Sequence, residues 1–384
     1  MTPIRQSENY KSRGFSLVEV MVGLVIGMLG ILVIMQVFAV SEGRKRTTTS
    51  GSDAQINGLS ALLAIERDVR QAGFGYTSSP GSGTNPALGC KTRAYNSAAT
   101  PNNIDFRLIP VLITNGVANA PDAITVTYGT GPNLTTPAGF SIPSSGAANY
   151  KLTNNADKAG FADGDLVLAM QPGLNCTLAQ VTGLTGSGSD VITHNSGVGG
   201  NYNDPGGLGV SYNLPTAQLM NLGNPIITQY FVQTSNLASS DLKFGTSGGA
   251  ANTTVLADNI VTIQAQYGID TNGDGSIDAW VEPTGVWANN PTATPSTPTV
   301  TNILQIKAIR IAVVARSGLM ERGIVTLPCA NNAGSNNGPC AWQDTPASPA
   351  PLIDLLPGDP NWNRYRYKVY QTIIPIRNMI WSES

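Results

Sequence analysis

Three sets of residues in this 384-residue chain have types and spacings that could do chemistry. The first is Glu19, the one charge in an otherwise apolar run from Phe15 to Val40. A carboxylate in hydrocarbon costs on the order of 2.5–3.5 kcal/mol at a helix centre and less near an end, so it calls for a partner. The second is the stretch from Asp270 through Asn272, Gly273, Asp274, Gly275 and Ser276 to Asp278. Oxygen-bearing side chains at the first, third, fifth, seventh and ninth places, with glycine at the sixth, match the front half of a calcium loop. An EF-hand would carry a bidentate glutamate at the twelfth place, which here is Val281, followed by Glu282. The flanks read as strands, so a β-hairpin loop is expected. It either holds a structural calcium through Asp270, Asn272, Asp274, Ser276 and Asp278 or is a plain Asp/Gly turn. No other cofactor is expected.

The third set is Cys90, Cys176, Cys329 and Cys340, all downstream of the apolar run. An even number of cysteines in a Gly/Ser/Thr-rich exported domain favours disulfides, and four allow three pairings. Cys329 and Cys340 bracket a short polar loop, which favours that pair and leaves Cys90 with Cys176. Zinc is the alternative, but no C-x-x-C occurs and the single His194 lies in a glycine-rich loop. Free thiols are the other alternative.

Catalysis finds little footing. His194 is the only imidazole, with no nucleophile motif beside it, and no phosphate loop, H-E-x-x-H or dinucleotide fingerprint occurs. The expectation is a protein that is not an enzyme. Lys and Arg number 22 against 24 Asp and Glu, a formal charge of −2, so there is no electrostatic case for nucleic acid. With 41% hydrophobic and 12% charged residues the chain is not a disordered polyelectrolyte.

The elements that must position these residues begin with the apolar run. As a helix, Phe15–Val40 would extend about 39 Å, enough to cross a hydrocarbon core of about 30 Å with some tilt. It is longer than a secretory signal's apolar core, and its small residue, Gly14, precedes it rather than follows. Arg5, Lys11 and Arg13 before it and Arg44, Lys45 and Arg46 after it leave the orientation undecided. Gly23 and Gly27 have the spacing that permits close helix approach.

The helix is expected to continue. Ile56, Leu59 and Leu63, then Leu62, Ile65, Val69 and Ala72, recur at three- and four-residue steps, an amphipathic stripe that should pack on the chain's own domain. Gly43, Gly51 and Gly58 should weaken or bend it, and Gly73 is a candidate C-cap. Beyond Phe74, turn residues separate candidate strands at Phe106–Ile113, Ala123–Tyr128, Asp165–Met170, Ala179–Leu184, Ile226–Thr234, Ile260–Gly268, Ala279–Val281, Ile303–Ala315 and Tyr365–Ile376. A Thr/Pro-rich loop is expected over Pro291–Pro298 and polar loops over Gly186–Gly209 and Asn331–Pro339. The fold class is therefore α+β: a long N-terminal helix packed on a large, mainly antiparallel β domain.

The run from Lys11, Ser12 and Arg13 through Gly14 and Phe15 to Glu19 resembles the processing site of type IV prepilins and type II secretion pseudopilins. A basic leader, a glycine, an aromatic residue, a glutamate and a long apolar helix fall in register. The resemblance implies that a membrane prepilin peptidase cuts between Gly14 and Phe15 and that Phe15 becomes the N-methylated terminus. Glu19 then corresponds to the glutamate that pairs with a neighbouring subunit's new amine during assembly, an attraction strengthened by low dielectric. Glu66–Phe74 resembles the helix end of the PilW and J-type pseudopilin group, and Ile303–Ser317 and Tyr365–Asn378 resemble the last two strands of PilW proteins.

The implied organisation is a leader over 1–14, a membrane and assembly helix over 15–40, its amphipathic continuation over 41–73, and a β-rich domain over 74–384. The implied function is that of a minor pilin in pilus initiation or assembly at or near the filament tip. A J-type pseudopilin of a secretion system or a tip-displayed adhesin are the alternatives. Implied partners are other minor pilins, the major pilin, the prepilin peptidase, the inner-membrane assembly platform, a tip adhesin and the membrane itself. Nucleic acid is not among them. The implied location is the inner membrane of a Gram-negative bacterium, with a periplasmic C-terminal domain, and then the pilus.

Overall fold

The structure, a computed structural model, describes residues 14–77, 87–99, 101–131, 137–144, 149–153, 160–186, 190–195, 201–207, 209–244, 252–290, 296–331, 334–342, 345–346 and 348–380. Arg5, Lys11, Ser12 and Arg13 of the expected leader lie outside the described residues, as do parts of the expected loops at 187–189, 196–200, 291–295 and 332–333. The chain divides into two compact units, Met1–Ser50 and Gly51–Ser384. One helix, Leu17–Val69, contributes to both. The helix runs on through Gly43, Gly51 and Gly58, where weakening was expected.

In the first unit the helix carries the apolar run. Its most apolar window has a mean hydropathy of 2.7, none of it buried, and it is long and apolar enough to cross a membrane. Every large apolar side chain from Leu17 to Val40 is more than half exposed.

In the second unit the helix presents two different faces. Ala61, Leu62, Ile65 and Val69 are buried in one core cluster with Ile124, Val126, Ile263, Ile311 and Val313. Fully burying a side chain such as Ile65 contributes about 1.5–3 kcal/mol. Ile56, Leu59 and Leu63, expected in the same packing stripe, are instead 64%, 49% and 53% exposed. Seven apolar positions over four turns are more than one buried face can absorb, so the helix carries a second apolar stripe turned away from its domain. Gly58 sits where the helix meets the sheet closely, since a Cβ there would run into the Tyr370 ring. Gly73 turns the chain out of the helix at φ +80°, a conformation that favours glycine.

The rest of the second unit is β-rich and mainly antiparallel. A four-stranded sheet in the order Ala279–Val281, Ile260–Ile269, Ile306–Arg316, Tyr367–Pro375 forms its backbone. A five-stranded sheet runs Thr253–Asp258, Asn236–Asp241, Ile226–Gln233, Ala123–Tyr128, Val111–Thr114. A six-stranded sheet runs Asn103–Arg107, Lys91–Tyr95, Cys176–Gln180, Leu166–Met170, Gln218–Gly223, Ala138–Gly139, and its second and third strands pair in parallel. Smaller sheets join Asn149–Lys151, Val191–Thr193 and Gly183–Thr185, and Cys329–Asn331 with Gly334–Asn336.

Three expected strands are corrected. Phe106–Ile113 is two strands in different sheets, Asn103–Arg107 and Val111–Thr114, parted at Pro110, which has no N–H for a ladder. Ala179–Leu184 divides between Cys176–Gln180 and Gly183–Thr185. Ile303–Ala315 starts helical: Val300–Gln305 is a short helix whose N-cap Thr299 forms a capping box with Asn302, and the strand is Ile306–Arg316. That strand is buried on both faces. Ile309, Ile311 and Val313 join the helix core, while Ala312 and Val314 join a second cluster with Ile353 and Trp362.

Candidate functional site

The expected processing residues sit together at the start of the long helix. Gly14 precedes it, Phe15 is 82% exposed, and the helix begins at Leu17. Glu19 lies in the first turn, where a carboxylate complements the exposed N–H groups of a helix start. Its carboxylate has no hydrogen-bond or ion-pair partner among the described residues.

The cysteines pair as Cys90–Cys176 and Cys329–Cys340, with Cα atoms 6.0 Å and 5.6 Å apart, and none is free among the described residues. His194 is buried and stacks on Tyr150 with ring centroids 4.1 Å apart. Burial pulls its pKa down to about 4, so it stands neutral in the core rather than exposed as a base.

In the Asp270 loop the side-chain oxygens are turned onto the loop's own donors. The Asp270 carboxylate accepts from Gly273 N at 2.7 Å and from Gly275 N at 2.8 Å. Those glycines take φ +76° and +82°, which brings both N–H groups round to one side chain. Asp274 accepts from Ser276 N at 2.7 Å, Asn272 Oδ1 accepts from Asp274 N at 2.9 Å, and Asp278 accepts from the N–H and hydroxyl of Thr271. Desolvation pushes the Asp270 pKa up, but the N–H groups of Gly275 and Gly273 and the charge of Lys307 outweigh it, so the carboxyl lies below its usual range. Among the described residues no group of three or more His, Cys, Asp or Glu side chains gathers as for a metal.

Sequence reasoning missed a buried polar network on the sheet face that carries Ala312 and Val314. Arg310 donates to Gln266 Oε1 and to the carbonyl of Pro349, while Gln266 donates to Glu282 at 2.5 Å and also to the Pro349 carbonyl at 2.9 Å. The Arg310 guanidinium lies 5.2 Å from the Trp280 ring centroid and 4.8 Å from that of Trp342. The one signal in the sequence is an arginine in the middle of an apolar strand. Also unforeseen was Asp68, buried on the helix and accepting from Tyr230 at 2.7 Å.

Two family models match the chain. Residues 9–35 match the prokaryotic N-terminal methylation motif, a span that includes Gly14, Phe15 and Glu19. Residues 229–378 match the family described as type IV pilus-assembly protein W. No curated protein and no solved structure matches. The two matches, with the exposed apolar helix and the large antiparallel domain, support a type IV pilus-associated pilin with a membrane anchor. Within that class they support a minor pilin of the PilW family. Pilin-family domains point to a structural, non-enzymatic protein that works with other pilus components.

Proposed function

We propose that the protein is a minor pilin that helps initiate or cap a type IV pilus, at or near the filament tip. It is held in the inner membrane by Phe15–Val40 before assembly, with Gly51–Ser384 on the periplasmic side. Its partners are the major pilin, other minor pilins, the prepilin peptidase and the assembly platform. The observation that carries this reading is the methylation motif heading a helix whose Glu19 has no partner among the described residues. Cutting between Gly14 and Phe15 would create the missing cation on each subunit, and its pairing with Glu19 of a neighbour offsets the cost of a carboxylate in lipid. The stripe Ile56, Leu59 and Leu63 gives assembly a second apolar contact. A globular unit as large as Gly51–Ser384 suits a filament end better than a closely packed shaft.

The test is genetic and chemical together. Glu19→Ala is expected to be cleaved normally but to be lost from sheared pili. Gly14→Val is expected to stay at precursor mass. Protein from cells whose N-terminus is Met1 or Thr2 rather than a methylated Phe15 would end this reading, as would normal incorporation of Glu19→Ala.

For the Asp270 loop the proposal is a structural calcium, supported by the spacing of Asp270, Asn272, Asp274, Ser276 and Asp278. On binding, the ion would displace the loop's own N–H contacts. Calcium titrated into the metal-stripped protein is expected to release heat and raise Tm. No heat and an unchanged Tm would leave the loop as the self-bonded turn described above.

A further inference from the structure

The strand Asn103–Arg107 is one edge of the six-stranded sheet. Its neighbour is Lys91–Tyr95, in antiparallel register with Lys91 opposite Arg107 and Arg93 opposite Asp105. Leu108 N donates to the Cys90 carbonyl and Asn96 N to the Asn102 carbonyl. Because antiparallel ladders alternate, residues 102, 104, 106 and 108 direct their backbone groups to that neighbour, while Asn103, Asp105 and Arg107 direct theirs outward. The Arg107 carbonyl is taken by Ile109 N at 2.9 Å. The N–H and C=O of Asn103 and Asp105 and the N–H of Arg107 have no partner among the described residues.

A groove of about 360 Å³ lies on this edge. It is lined by Asp105, Phe106 and Arg107 of this strand and by Thr125, Thr127 and Gln229 of the five-stranded sheet. Leu112, Ile227 and Leu242 make its apolar wall. Lys91, exposed and without an ion-pair partner among the described residues, also lines it. Arg107 is spent on the carbonyls of Gly89, Thr297 and Pro298, so its charge stays in place. Two cations directly opposite one another repel, and an added carboxylate would relieve both.

We propose that this edge is a docking site for an extended segment of another polypeptide, which adds a strand beside Asn103–Arg107. Its backbone pairs with Asn103 and Asp105, one apolar side chain enters the groove, and an acidic side chain meets Lys91 and Arg107. A second copy of this chain is the wrong occupant. Antiparallel pairing of the strand with itself about its centre would set Asp105 against Asp105 of the second copy. A charge on a short edge strand can by itself serve to repel strands, but such an edge needs no apolar groove beside it.

The proposal is tested on the full chain in detergent with two capped pentapeptides, Thr-Val-Glu-Val-Thr and its lysine-for-glutamate counterpart. Binding of the glutamate peptide is expected to slow amide hydrogen exchange over 103–107. Asp105→Pro deletes one outward N–H that the sheet does not use, and is expected to keep the thermal transition and lose the protection. Lys91→Glu is expected to weaken the glutamate peptide by about tenfold and to favour the lysine peptide instead. Should Asp105→Pro fail to fold, the charge swap at Lys91 decides. Unchanged exchange over 103–107 at millimolar glutamate peptide would overturn the proposal, as would equal affinity of both peptides for wild type and Lys91→Glu.

Discussion

At the scale of single residues, two buried groups make stability depend on pH in opposite directions. Burial raises the pKa of Asp122 to about 7, against the N–H groups of Gly116 and Ala265 that favour its ionised form, and the charge of Glu282 adds to the rise. A folded pKa above the unfolded value means that the contribution is complete below about pH 4 and is lost as pH rises through 7. Burial lowers His194 to about 4, so its contribution is complete above the unfolded pKa of about 6.5 and is lost as pH falls through 4. The full effects are on the order of 4 kcal/mol for Asp122 and 3 kcal/mol for His194, and between pH 7 and 4 they largely offset one another. The variants separate them. The Tm gap between wild type and Asp122→Asn is expected to widen as pH falls from 7 to 4, and the gap to His194→Phe to narrow over the same range. Parallel Tm curves for the wild type and both variants would contradict these assignments.

At the scale of elements, the long helix does two jobs on two faces. Gly58 lies against Tyr370 and Ala315, so Gly58→Val must displace an aromatic ring and is expected to cost about 1–3 kcal/mol, read as a lower urea midpoint. Leu63→Asp, on the outward stripe, is expected to change stability by no more than about 0.5 kcal/mol yet to reduce recovery of the protein in sheared pili. If Leu63→Asp unfolds the protein as Gly58→Val weakens it, the outward stripe belongs to the core after all. The sequence showed the helix and its apolar positions but not their division, because period alone tells that residues share a face, not which face meets a sheet. The same limit applies to Ile306–Arg316. Its length and apolar character were legible, but Arg310 could not be matched to Gln266 and the two indoles from spacing.

At the scale of the whole molecule, the disulfides act on loops of very different length. Cys90–Cys176 closes a separation of 86 residues and Cys329–Cys340 one of 11. In the chain-entropy account, closing the long loop stabilises by roughly 4–5 kcal/mol and the short one by roughly 3 kcal/mol. The double variant Cys90→Ala with Cys176→Ala is expected to lose more stability by urea denaturation than Cys329→Ala with Cys340→Ala. The reverse order would mean that the short hairpin, which holds the segment carrying Trp342 over Arg310, matters more than loop entropy.

What the sequence determined by itself was local: the apolar helix, Glu19 within it, the run from Gly14 to Phe15, and strands such as Ala279–Val281, each encoded in neighbours a few residues apart. Only the tertiary structure decided that Phe106 and Ile113 belong to different sheets, that Ile56, Leu59 and Leu63 face outward, and that Asn103–Arg107 ends its sheet, among the described residues, beside a groove. Those outcomes depend on pairings between residues far apart in the chain, whose energies come from burial and backbone hydrogen bonding that no local pattern specifies.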